Sequence, residues 1–437
     1  MVLDAGSRGS PSSIQSAIPL DGTSSSHPPV TPDPPDPGVY PVNAGVVMSE
    51  AMLDAIDYQS APWATPYATL INTTNSIAIS GVRSAMRFSG LTYNAHNPGA
   101  QIESDNDFNG ELRMWMDDCE AAWIQALLYR VGDPSQQATR LAIVNDVIDS
   151  YKDVTSFAQD PSQSRRLASG WAIDNLTRAI SMIGDEYDGR MDDFLIDVTY
   201  ADDPLSGTRP DIFLDWYENP NWLGSFSAAR LGIGVVTQRA DIFENACDYW
   251  ELRLAQNIYH ASYDGGYVRQ IDGSNSRTVR NWGGANGHAQ IGSNRAAVFP
   301  AGQHMAGQSL PDGQFAEDWR DINHVMMGLG AFCHGALTMR HQGVEPSASA
   351  LARLTAAYEL HATRILEYLA DGLPLEWFPY NGEGDRINGG WLPAVALLGN
   401  AVPTVQELIA SDTDFSQPGV EYNHQSAEGF AFAAATI

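Results

Sequence analysis

The sequence predicts an all-α fold, an α/α toroid: an incomplete barrel of antiparallel helical hairpins with one long Gly/Asn-rich loop. Three observations carry this expectation. Apolar residues recur with a helical period from about residue 49 onward, strand-like alternation is almost absent, and short loops join the helical stretches. An open α-solenoid would satisfy the same three conditions. No repeat of fixed length is present, which counts against a regular array and favours closure into a toroid.

Taken in order, residues 1–40 are rich in Ser, Pro, Gly and Asp and have no hydrophobic period, the composition of a tether or linker. They contain no charged region followed by an apolar one of the signal-peptide kind. The expectation is a processed protein, secreted or tethered at a cell surface, with residues 41–437 as a single domain. In "ELRMWMDDCEAAWIQALLYRVGDP", Trp115, Cys119, Ala122, Trp123, Ala126 and Leu127 share one face of a helix that Gly132 and Pro134 end. Similar amphipathic stretches occupy about 137–152, 165–183, 221–238, 241–259, 318–342 and 347–371, with shorter ones near 389–400 and 403–410. One segment breaks the pattern. Residues 262–316 are Gly- and Asn-rich and carry Arg269, Arg277, Arg280 and Arg295 together with Tyr263, Tyr267, Trp282, His288 and His304. A long segment without a period inside a compact domain is usually a functional loop or is disordered. Arginines beside aromatics suit a ligand that is anionic and contains rings.

The charge balance limits the partners. The 437 residues carry 53 acidic against 24 basic side chains, a formal net charge of -29, and Lys152 is the sole lysine. Such a chain repels nucleic-acid phosphates and anionic lipid, so neither is an expected partner. It also repels a polyanion at long range, so an acidic ligand needs local arginines or screening salt. The composition suits a high-salt habitat or an acidic secreted protein. No apolar run reaches the about 18 residues that would span a bilayer. Cys119, Cys247 and Cys333 lie in helical apolar contexts without metal-ligand spacing and read as small core residues. No metal or cofactor is implied.

Two stretches carry candidate chemistry. In "DGQFAEDWRDINH", residues 312–324, Glu317, Arg320 and His324 project from one helical face, and Asp321 lies within reach of Glu317 and His324. These residues equally suit an acidic first turn stabilised by ion pairs. In "YENPNWLGSFSAARLGIGVVTQRADIFENACDYW", a helix opens after Pro220 with Asn221 and Trp222, and Arg230 follows two turns on. By itself this reads as a helix cap with a core tryptophan.

Taken together and in order, these phrases resemble the alginate-lyase family of polysaccharide lyases. The matching residues are Asn221–Trp222, "RLGIGVVTQRADIFENACDYW", the 262–316 loop, "GQFAEDWRDINHVMMGLG", "QGVEP…AAYELHATRILEYL", and the earlier "SEAMLDAIDYQSAPWATPYATL", so that the resemblance covers about residues 45–375. It implies an α/α toroid that cleaves an acidic polysaccharide, alginate or a related polyuronate, by β-elimination. The reaction explains the residue types. The proton at C5 of a uronate is too weakly acidic to remove unless the adjacent carboxylate is neutralised by donors aimed at the developing charge. Carried over, Asn221, Arg320 and His324 match family positions for this task, and Glu317 and Asp321 match as groups that orient Arg320 and His324. The family's frequent base is a tyrosine; Tyr263 and Tyr267 are the candidates, with His288 as the alternative. Trp222, Arg230, Arg269, Arg280 and Trp282 are candidate substrate-binding residues. The Asn-Asn-His-Ser-Tyr-Trp string of the best-known alginate lyases is absent, since Trp222 follows Asn221. Two other readings use the same scaffold: an inverting glycoside hydrolase, with Glu317 or Asp321 as one of two carboxylates, and a non-catalytic carbohydrate-binding or surface structural protein.

Overall fold

Helices make up most of the described chain, and each expected helical stretch that is described is found within a few residues of its expected bounds. The computed structural model describes residues 45–72, 101–102, 110–152, 156–157, 164–198, 220–264, 268–269, 275–276, 311–316, 322–371, 389–411 and 427–433. All of these belong to one compact unit spanning 37–437. The 1–40 segment lies outside the described residues. Strand structure among them is confined to one isolated bridge and to two-residue pairs: β1 (Gln101–Ile102) beside β2 (Ser156–Phe157) in parallel, and β3 (Val268–Arg269) against β4 (Asn275–Ser276) in antiparallel.

After the short α1 (Glu50–Asp54) and α2 (Ala64–Asn72) come α3 (Gly110–Val131), α4 (Gln137–Tyr151), α5 (Ser164–Ile183), α6 (Pro220–Val236), α7 (Ala240–Asn257) and the single turn α8 (Ala261–Asp264). The chain continues through α9 (Ile322–His341), α10 (Ala348–Asp371), α11 (Leu392–Leu398), α12 (Pro403–Ser411) and α13 (Glu428–Ala431). Helices α3, α5, α6 and α9 lie side by side in that order, each packed on the next. Helix α4 backs α3, α7 backs α6, and α10 packs on α7 and α12.

Burial separates this row from its backing. Every residue of α6 except Trp222 is buried, as expected of a helix with neighbours on all sides. Pro220 opens it, since the first position of a helix needs no N–H donor. Two glycines let its neighbours approach: a Cβ on Gly232 would stand 2.2 Å from Thr177 Oγ1 of α5, and one on Gly224 would stand 2.7 Å from the Gly328 carbonyl oxygen of α9. Helix α3 departs from the single apolar face its period suggests. From Trp115 to Leu128 it is buried all round except at Glu120, and its enclosed polar groups bond to the helix behind. The Tyr151 hydroxyl donates to Asp118 at 2.8 Å, and Arg140 Nη1 donates to Gln125 at 3.0 Å, both from α4. Buried polar atoms need such partners.

The row is curved. Asp174 of α5 pairs with Arg178 at 2.8 Å and also meets His334 Nδ1 of α9 at 3.1 Å, although α6 packs between the two helices. The segment Val46–Val47 ties the same pair, with Val46 N–H donating to Ser181 Oγ and Val47 N–H to Thr338 Oγ1, each at 3.0 Å.

Candidate functional site

The two motif stretches meet at one end of the α6–α9 contact. Asn221, the second residue of α6, is buried, and its Cα stands 3.1 Å from where a Cβ on Gly328 would be. His324 lies one turn before Gly328 on α9 and is half-buried. Residues about a hundred positions apart in the chain are thus brought to the same helix ends, because Gly224 and Gly328 leave no side chain between the two backbones.

The third party at this end is the base of the Gly/Asn-rich loop. Ile258, just past α7, forms an antiparallel bridge with Phe315. Tyr259 N–H donates to Gln314 O, Gly313 N–H to Tyr259 O, and Ala316 N–H to Asn257 O, each at 2.9 Å. The loop is therefore fastened where it leaves α7 and where it returns. Phe315 reaches Gly328, its ring tip 2.7 Å from the position of a Cβ there. The fastened base is thereby set beside Asn221 and one turn from His324. Single bridges of this kind have no sequence period, and nothing in the residue pattern announces this one.

Glu317, Arg320 and Asp321 lie outside the described residues, as do Tyr267, Arg280, Trp282 and His288. Trp222 is half-buried, with its ring 6.4 Å from that of Phe226. Arg230 is buried: its Nη2 donates to Asn245 at 2.5 Å and its guanidinium lies 4.8 Å from the Tyr249 ring centroid. Those contacts join α6 to α7. Arg269 belongs to β3 and pairs in register with Asn275 of β4. Tyr263 lies on α8 and is exposed.

Two polar groupings escaped the reading of the sequence. One is the Asp174–Arg178–His334 group, fully buried between α5 and α9, with Asn175 accepting from Arg178 Nη2 at 2.9 Å. The other surrounds α8. Asp264 accepts from both terminal nitrogens of the buried Arg353 at 2.7 Å and from His260 N–H at 2.8 Å, and Arg353 also donates to the Ile258 carbonyl. The i,i+4 spacing of Asp174 and Arg178 was a legible hint of their pairing; contacts across helices left no such signal.

Two of the three thiols are held from ionising. Burial, reinforced by neighbouring Asp118, pushes Cys119 well above the ordinary thiol range, and burial beside Asp248, Glu251 and Glu244 does the same to Cys247. All three cysteines are free. Among the described residues, no group of three or more His, Cys, Asp or Glu side chains is arranged to hold a metal, and no helix is long and apolar enough to cross a membrane. Comparison with protein-family models and with curated proteins finds no match to this chain.

Proposed function

We propose that the chain is a polysaccharide lyase, secreted or tethered at a cell surface, that cleaves alginate or a related polyuronate by β-elimination on an α/α toroid. The observation that carries the reading is the meeting of the Asn221 and His324 helix ends beside the fastened base of the loop. An elimination site needs donors for the uronate carboxylate, a base for C5–H and a source of a proton for O4, all within one sugar residue. Asn221, Arg320 and His324 would neutralise the carboxylate; Glu317 and Asp321 would orient Arg320 and His324. The base takes the C5 proton, the C5–H electrons form the C4=C5 double bond, and O4 leaves and is protonated. The curved row α3–α5–α6–α9 with α4 and α7 behind it favours a toroid over an open solenoid, since α5 and α9 touch across α6.

The test is incubation of the full chain with mannuronate, guluronate and glucuronate polymers while new double bonds, by ultraviolet absorbance, and new reducing ends are both counted. A lyase gives one unsaturated end for each reducing end. Reducing ends without unsaturation would replace the lyase with a hydrolase, and polymer retention without either would leave a binding protein.

A further inference from the structure

We propose that the ring of Tyr263 is a stacking platform for one pyranose residue of the polysaccharide, and not the base that starts the elimination. The uronate character of that sugar rests on the lyase reading above; the platform itself rests on three features of α8. First, Tyr263 is the one large hydrophobic side chain exposed among the described residues, at 44%. Second, the backbone beneath it is fixed. Tyr263 N–H donates to His260 O at 3.0 Å, Asp264 is held by Arg353 and by His260 N–H, and Ala261 N–H donates to Asp312 at 2.6 Å. The ring packs against His260, centroids 5.0 Å apart, with the Arg353 guanidinium 5.6 Å from its centroid. Third, its hydroxyl makes no hydrogen bond to a described residue, whereas a phenol that must take a proton needs neighbours to stabilise its anion.

These features suit stacking. A rigid aromatic ring with few rotatable bonds loses little freedom on binding and offers a broad apolar surface to the C–H face of a sugar. Asp264 neutralises Arg353 through two parallel bonds, so the cation serves as a floor under the ring. The ring also stands directly after the point where the loop is fastened to α7.

The experiment uses the full chain and its Tyr263→Phe and Tyr263→Leu variants, with uronate oligosaccharides as probes, and measures Kd by calorimetry alongside kcat and KM. Stacking predicts that Tyr263→Leu raises Kd and KM by about two- to tenfold with kcat retained, and that Tyr263→Phe restores both. Loss of turnover in Tyr263→Phe would overturn the proposal, because the hydroxyl would then be the reacting group. Equal Kd in wild type and Tyr263→Leu would overturn it too. If the wild type turns over no polyuronate, the lyase reading fails and the platform is judged by Kd alone. Absence of any wild-type binding removes both.

Discussion

Asp118 lies on the side of α3 that the sequence period gives to water, yet it is fully buried and takes the Tyr151 hydroxyl at 2.8 Å. Its acidity in the sequence reads as solvation, because a period reports how often apolar residues recur and not whether a second helix covers the polar side. Tyr151→Phe removes that donor at a buried carboxylate and should cost about 1–3 kcal/mol, seen as a lower urea midpoint at unchanged m-value. His341 makes a second case. Burial, with Arg340 nearby, drives its imidazole down to about 4 despite an opposing bond to the Gly45 backbone. The folded protein therefore keeps this ring neutral where the unfolded chain takes up a proton, as pH falls below 6.5. Its share of stability is complete above that pH and is lost as pH drops towards about 4. Melting temperature measured from pH 7 to 4.5 should fall less steeply in His341→Gln than in the wild type; parallel profiles would remove His341 from the account.

The helices were legible as elements. Their 3.6-residue period and their Gly and Pro punctuation fix existence and rough bounds, as at α3, where Gly132 and Pro134 follow Val131. Which helices form the row was legible only in part: α6, whose one charged residue is Arg230, is enclosed and α7, which has five, is not, yet α3 carries Asp117 and Asp118 and is enclosed too. The site was half legible. The wording of the two motif stretches singled out Asn221 and His324, but the meeting of their helix ends depends on the backbone approach of Gly224 to Gly328, a tertiary fact. Gly224→Ala tests that approach. A methyl 2.7 Å from the Gly328 carbonyl must push α6 and α9 apart, at a cost of about 1–3 kcal/mol. On the lyase reading it should also lower kcat, since both helix ends move relative to each other. Gly343→Ala, where a Cβ meets nothing within 4 Å but φ is +80°, is the control for strain without displacement, and should lose stability with kcat unchanged.

At the scale of the whole molecule, the net charge of -29 repels both itself and a polyanionic substrate. Both penalties shrink as the Debye length falls from about 10 Å at 0.1 M to about 3 Å at 1 M salt. Melting temperature should therefore rise with salt to at least moderate ionic strength, and on the lyase reading kcat/KM on a polyuronate should rise with it; a monotonic fall in both would contradict the electrostatic account. If the mouth of α9 is a reaction centre and not merely a charged helix start, activity and folding separate on substitution. The most direct measurement is kcat and melting temperature on the same Arg320→Ala and His324→Ala proteins. Donors that act as charge develops predict a loss of roughly 10²-fold or more in kcat with the fold retained. A solvated helix start predicts at most about 1 kcal/mol of lost stability, and wild-type turnover in both variants would contradict the claim.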